Sequence, residues 1–256
     1  MGNDANSQHQ IKALQKAFKI VESIDRLGSA TLAEISRDVE LPKTTVYRHL
    51  ATLKESGYIA QTQDEYQLSY RFLEYGIRRR SRDPVYAVAK ESMNTLAEDT
   101  GERVWCVVKE GPHCVYVYKV EGKYPISTDI HIGQRRELHP YAAGKAILAF
   151  QPQEHIDAIL DNADLIPRTE NTITDRDTLL DELETIRERG YAVNREESIK
   201  GLRGVGAPIR NEYDEVHASL SIAGAANRML GDRLTQEIPE MLLGAVNDIE
   251  LGLRHP

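Results

Sequence analysis

Thr31–Tyr58, TLAEISRDVELPKTTVYRHLATLKESGY, decides the fold of the N-terminal part of this chain. Thr31 followed by Glu34 has the form of a capping box, in which a hydroxyl and a carboxylate satisfy N–H groups at a helix start. Leu32, Ile35 and Val39 then recur at helical spacing. Leu41 and Pro42 stop that helix and open a second, since proline suits a first turn and not an interior. On the second helix Val46, Leu50 and Leu53 share one apolar face, and Thr44, Arg48, Thr52 and Glu55 point the other way, with Thr45 and Tyr47 on the flanks. Short polar groups with Lys43 and Arg48 form a face that can enter a major groove. Lys43 and the helix N-terminus would hold phosphates, and Arg48 would reach base edges.

Working outward, Gly57 ends the second helix, and Tyr58–Leu68 reads as two short strands around a polar turn, a wing. Ile11–Leu27 reads as an earlier helix with Leu14, Ala17, Phe18, Val21, Ile24 and Leu27 as its stripe, either packed under the other two or open to a second subunit. The alternative to a DNA reader is a helical hairpin with a solvated polar face. Helix, tight turn, helix and hairpin in this order favour the reader.

The 256 residues are 41% hydrophobic and 28% charged, which allows one or two globular domains. No secretory leader is visible, and no apolar run approaches the ~18 residues of a membrane helix, so the expected compartment is the cytoplasm, with no membrane partner. Two cysteines imply no disulfide framework. The net charge of −8 is uneven: residues 1–80 hold 12 Lys and Arg against 10 Asp and Glu, and the remainder 20 against 30. DNA contact is therefore expected in the N-terminal part alone.

Ser69–Arg82 reads as a connecting helix ending in Arg78, Arg79, Arg80 and Arg82. This basic run either complements the helix C-terminus or touches phosphate. Asp83 and Pro84 begin a new helix closed by Gly101. Beyond it, Arg103–Lys109 and Cys114–Lys119 read as a hairpin and Ile126–Ile132 as a third strand, with Gly133–Pro140 a polar loop. Helices follow over Tyr141–Phe150, from Pro152 to Leu160, and from a Thr174/Asp177 cap to Arg189. Strands follow at Tyr191–Asn194, Gly204–Arg210 and Val216–Gly224, and then a last helix from about Asp232 to Leu251 that Pro239 should interrupt or bend. The fold class is α+β, with a mainly antiparallel sheet and flanking helices in the second domain. The expected division is 8–69 for the reader, 70–82 for a linker helix and 83–256 for the second domain.

Three segments in order, LPKTTVYRHLATLKESGY (Leu41–Tyr58), LHPYAAGKAILA (Leu138–Ala149) and GYAVNREESIKGLRGVGAPIRNEYDEVHASLSIAG (Gly190–Gly224), resemble the IclR family of transcriptional regulators. The resemblance implies a winged helix-turn-helix joined by a helix to a GAF-like effector domain. It implies a homodimer or homotetramer on double-stranded DNA, and a small metabolite, an organic or sugar-derived acid, that modulates binding to a pseudo-palindromic operator. No cofactor is implied. DNA-binding residues would be Lys43, Thr44, Thr45, Tyr47, Arg48 and Thr52. The family's pocket carries over to Ala142 and Ala143 at a helix start, to Asn194 and Gly204, and to Ser221 and Ala223 on the last strand, with Pro125 and Thr128 at the rim. A helix N-terminus suits an anionic group, and Ser221 with Asn194 could orient a polar ligand.

Three other functions stand against this reading, and one of them, a pure interaction protein, would explain the helices but not a small-residue pocket beside a DNA reader. An enzyme finds no nucleophile elbow, no phosphate loop and no dinucleotide spacing, and Glu196 with Glu197 reads as a solvated loop. A metal-sensing regulator would use Cys106, Cys114, His131 and His139, but without the spacing of a zinc motif.

Overall fold

The computed structural model describes residues 10–124, 126–162 and 164–254. The chain divides into two units between Arg79 and Arg80.

In the first unit, α1 (Lys12–Leu27), α2 (Leu32–Asp38) and α3 (Lys43–Glu55) pack with three short strands, β1 (Ala30–Thr31), β2 (Ile59–Thr62) and β3 (Glu65–Leu68), in antiparallel order β1-β3-β2. The capping box is formed as the sequence requires: Thr31 Oγ1 accepts from Glu34 N, and the Glu34 carboxylate accepts from Thr31 N. Gly57 leaves α3 with φ +78°, a left-handed turn open to glycine, and the wing β2–β3 follows at once. Ile20, Ile24, Ile35, Val46, Leu50, Ile59 and Tyr66 form the core. The α1 stripe differs from expectation. Ile20 and Ile24 turn inward, while Leu14, Phe18 and Leu27 remain exposed, because α1 carries apolar residues on two faces and α2 and α3 can cover only one. The chain then runs through α4 (Arg71–Ser81), none of whose residues is buried.

The second unit begins with α5 (Pro84–Thr100), its first turn capped by the Asp83 carboxylate. β4 (Arg103–Glu110) and β5 (His113–Val120) form the expected hairpin, but the next strand is β6 (Arg135–Glu137), and no strand occupies 126–132. The Ile126 carbonyl and the Thr128 hydroxyl are taken by Arg103 instead, and the short Arg-Arg-Glu strand covers the edge of β5. Charged residues on a short edge strand are a known guard against further pairing.

After β6 come α6 (Ala142–Ala149), α7 (Gln153–Asp161) and α8 (Arg176–Arg189), then β7 (Ala192–Arg195), β8 (Leu202–Arg210), β9 (Val216–Ala225) and α9 (Ile238–Arg254). Asp175, rather than Thr174, caps α8 by accepting from Thr178 N. Pro239 causes no break: a π-helical turn over Arg233–Glu237 precedes it, so the proline falls in the first turn of α9.

The six-stranded sheet has the order β6-β5-β4-β9-β8-β7, antiparallel throughout. Strand alternation sends Val104, Cys106, Val205, Ala207, Leu220 and Ile222 to a core shared with α5 and α9. Trp105, Val107, Cys114, Tyr116 and Ala192 go to the opposite core, with α6, α7 and α8. The central strands β4, β8 and β9 are thus buried on both faces.

Candidate functional site

The first candidate surface is the outer face of α3. Lys43, Thr44, Tyr47, Arg48 and Thr52 are exposed and Thr45 is half-buried, while Val46 and Leu50 of the same helix are fully buried. Pro42 at the N-cap gives no side-chain hydrogen bond, so the helix N-terminus is open to an anion. The Lys43 and Arg48 side chains have no hydrogen-bond or ion-pair partner among the described residues, and such unpaired cations suit phosphate and base edges. Thr52 differs, since its hydroxyl donates to the Arg48 carbonyl of its own helix.

Arg71 on α4 ties this surface down. Its Nη1 donates to the Ser56 carbonyl at the end of α3 (2.6 Å), its Nε donates to the Tyr75 hydroxyl (2.7 Å), and its guanidinium stacks 4.9 Å from the Tyr58 ring. Farther along the basic run, Arg78 pairs with Glu74, and Arg80 stacks on Tyr86 and donates to the Val117 carbonyl.

The second candidate is a cavity of about 430 Å³, mouth included, on the face of the sheet covered by α6. Two rows of paired strand residues run beneath α6, and Asn194, Gly204, Ala223, Arg103, Ser221 and Trp105 of these rows line the cavity. One runs Asn194, Gly204, Ala223, Arg103 across β7, β8, β9 and β4. The next runs Ala192, Gly206, Ser221, Trp105. Ala142 and Ala143, the first residues of α6, stand over these rows, and Gly206 makes this possible, since a Cβ there would lie 2.6 Å from the Ala142 backbone. Tyr141 at the α6 N-cap offers no side-chain bond, so the first N–H groups of α6 remain available to an anion.

Thr128, Ala142, Ala143, Asn194, Gly204, Ser221 and Ala223 therefore meet around one cavity. Pro125 lies outside the described residues. Asn194 differs in its role from expectation. Its Nδ2 donates to the Pro140 carbonyl (2.7 Å) and to Ser198 Oγ (2.8 Å), and its Oδ1 accepts from Glu197 N (3.0 Å). It holds the wall together and leaves the Ser198 hydroxyl to face the cavity.

Sequence reasoning missed Ser198, Arg103, Trp105, Tyr116 and Tyr141. Trp105 and Tyr116 meet edge to face at 4.9 Å, and Tyr141 extends the aromatic wall. Burial pushes the Tyr116 phenol well above its ordinary value, so it stays neutral. The Arg103 guanidinium is buried and donates to Glu121 (2.8 Å), to Thr128 Oγ1 (2.9 Å) and to the Ile126 carbonyl. The signal was present: Arg103 and Trp105 are two apart on β4 and share the face of Ala223 and Ser221 on β9.

Glu196 and Glu197 do not form a solvated loop. Glu197 is buried against Lys145, and Glu196 pairs with Arg203 at 2.9 Å. Cys106 and Cys114 lie on opposite faces of the sheet, one in each core, which removes the shared geometry a metal needs. Burial pushes both thiols up to about 12. Among the described residues no three His, Cys, Asp or Glu side chains are grouped to hold a metal ion, and no helix is long and apolar enough to cross a membrane.

Comparison with known proteins gives two family matches: residues 13–63 match the IclR helix-turn-helix domain, and residues 79–251 match the family described as "Bacterial transcriptional regulator IclR C-terminal". The "Probable HTH-type transcriptional regulator ArcR" of Halobacterium salinarum is 30% identical over 248 residues, spanning 95% of this chain and 94% of the relative. The HTH-type transcriptional regulator KipR of Bacillus subtilis is 32% identical over 228 residues, spanning 89% and 91%. The crystal structure of the Thermotoga maritima IclR superposes with a TM-score of 0.79 at 32% identity, covering 95% of this chain and 99% of that one.

Proposed function

Because the chain belongs to the IclR family of transcriptional regulators, we propose that its exposed α3 surface reads a pseudo-palindromic operator while a small organic acid, occupying the cavity under α6, sets the operator affinity. The chain is a DNA-binding regulator rather than an enzyme. Residues 8–69 serve as the reader, 70–82 as the linker and 83–256 as the effector domain, working in the cytoplasm. Lys43 and the α3 N-terminus take phosphates, and Arg48 takes a base edge, with Thr44, Thr45 and Tyr47 beside it.

The observation that supports this reading best is the composition of the cavity. An uncapped helix N-terminus favours an anion, Ser198, Ser221 and Thr128 supply hydroxyls, and Trp105, Tyr116 and Tyr141 supply an apolar wall. The exposed Leu14 and Phe18 of α1 supply an apolar surface for a second subunit, as a palindromic site requires. The effector acts by binding two arrangements of the dimer unequally.

The test is operator selection from random DNA at a stated salt concentration, followed by titration of the selected site with a panel of small carboxylates. The expected result is an inverted repeat whose affinity one class of acid changes. Ser221→Leu, which obstructs the floor of the cavity, should keep operator affinity and lose the response. An unchanged response in that variant would place the effector elsewhere.

A further inference from the structure

A second cavity of about 670 Å³, mouth included, opens between the end of β6, the C-terminal part of α6 and the segment after α7, and it shares no lining residue with the first. Leu138, Leu148 and Leu160 are its buried apolar lining, with Ile159 and Leu165 partly buried beside them. Polar groups interrupt this lining. His139 is only 4% exposed, and its Nε2 has no hydrogen-bond partner. The Glu137 carboxylate gives Oε1 to Arg168 at 2.5 Å, while its Oε2 is buried with no partner. Asp164 brings a second carboxylate to the cavity wall, with no ion pair among the described residues.

Buried polar atoms are nearly always partnered, because an unmade bond costs the full desolvation of the group. Two such atoms on neighbouring residues of one cavity point to a molecule that supplies donors. Burial lowers the His139 imidazole below its ordinary value, against a smaller opposing effect of the Ile166 backbone, so at pH 7 the ring is neutral and one nitrogen can accept. Burial alone would raise the Glu137 carboxyl, but its own backbone N–H and Arg168 outweigh this and hold it ionised. The cavity thus has two unpartnered acceptor atoms in its lining residues and, in Asp164, a carboxylate with no ion pair among the described residues, above an apolar floor.

We propose that this cavity is a second ligand site, which takes a small primary amine: the ammonium donates to Glu137 Oε2 and His139 Nε2, and an aromatic or branched aliphatic body packs on Leu138, Leu148 and Leu160. The inference is independent of the acid site, since the two cavities have no residue in common.

The test is calorimetric titration of the full chain with 2-phenylethylamine, and in parallel with phenylacetate, which has the same ring and the opposite charge. The expected result is saturable binding of the amine, one per subunit. Glu137→Gln removes the charge with little change of shape and should weaken the amine about tenfold or more. Leu160→Trp fills the cavity and should abolish binding, and Glu137→Gln carries the test if that variant folds poorly. Amine binding should persist in Ser221→Leu, which obstructs only the first cavity. No saturable binding of the amine would overturn the proposal and leave ordered water as the partner of both atoms. Amine binding that ignores Glu137→Gln, or that disappears with Ser221→Leu, would overturn it as well.

Discussion

Lys145 Nζ stands 2.8 Å from both carboxylate oxygens of Glu197 and 2.9 Å from the Val193 carbonyl, deep between α6 and the segment after β7. Lysine is almost never fully buried without such partners, and here every ammonium proton has one. The pair fixes the wall in which Ser198 and Asn194 sit. Lys145→Met should therefore cost about 3–5 kcal/mol, chiefly because Glu197 is left buried without its cation. Replacing both residues by apolar side chains should recover part of that loss. Urea unfolding of the single and double variants checks this, and a double variant less stable than the single one would refute it.

Arg48→Ala should weaken the selected operator by about 1–3 kcal/mol and relax preference at one position of each half-site. Lys43→Ala should instead weaken all sequences alike and reduce the salt slope by roughly one ion. Binding isotherms at several salt concentrations separate the two behaviours.

Gly206→Ala should destabilise the second unit by about 1–3 kcal/mol, because the new Cβ would meet the Ala142 backbone at 2.6 Å and no flexible group there can yield. Gly244→Ala on α9 is the contrasting case. Its Cβ would meet nothing within 4 Å, and the helix interior should gain about 0.5–1 kcal/mol. Thermal melting of both variants decides the matter.

Phe18→Glu should convert the assembly to a smaller species in sedimentation while the circular dichroism spectrum stays unchanged. Phe18 is 62% exposed in one chain, so its loss leaves the three-helix core intact. An unchanged sedimentation coefficient would show that α1 is not a subunit contact.

Cys106 and Cys114 should remain unreactive toward Ellman's reagent in the folded protein at mildly alkaline pH, and both should react in guanidinium chloride. Burial keeps each thiol protonated, and the thiolate is the reactive form.

The reader was legible because local chemistry set it: Thr31 with Glu34, Pro42 and Gly57 each mark a boundary by a rule that acts within a few residues. The cavity was legible through α6 and β9, whose small residues and resemblance pointed the same way. Other features depended on partners distant in sequence. Ile126–Ile132 alternates as a strand does, but Arg103 takes its polar groups. Phe18 and Ile24 of α1 look alike in a periodic pattern, and only the cover supplied by α2 and α3 distinguishes them. The charge of Glu197 suggested solvent, and Lys145, 52 positions away, reverses that.

The two sheet rows beneath α6 also bear on how such a site can change over generations. Gly204 and Gly206 admit no side chain without collision with backbone, at 2.8 Å and 2.6 Å, whereas Ser221 and Ala223 reach the cavity with no side-chain hydrogen bond to the scaffold among the described residues. Drift at the first pair would be purged through loss of folding, and drift at the others would change the shape and polarity of the cavity. Under the proposed function, a lineage built on this frame exchanges one effector for another through single replacements at a few cavity positions, while the α3 surface in the other unit is inherited intact.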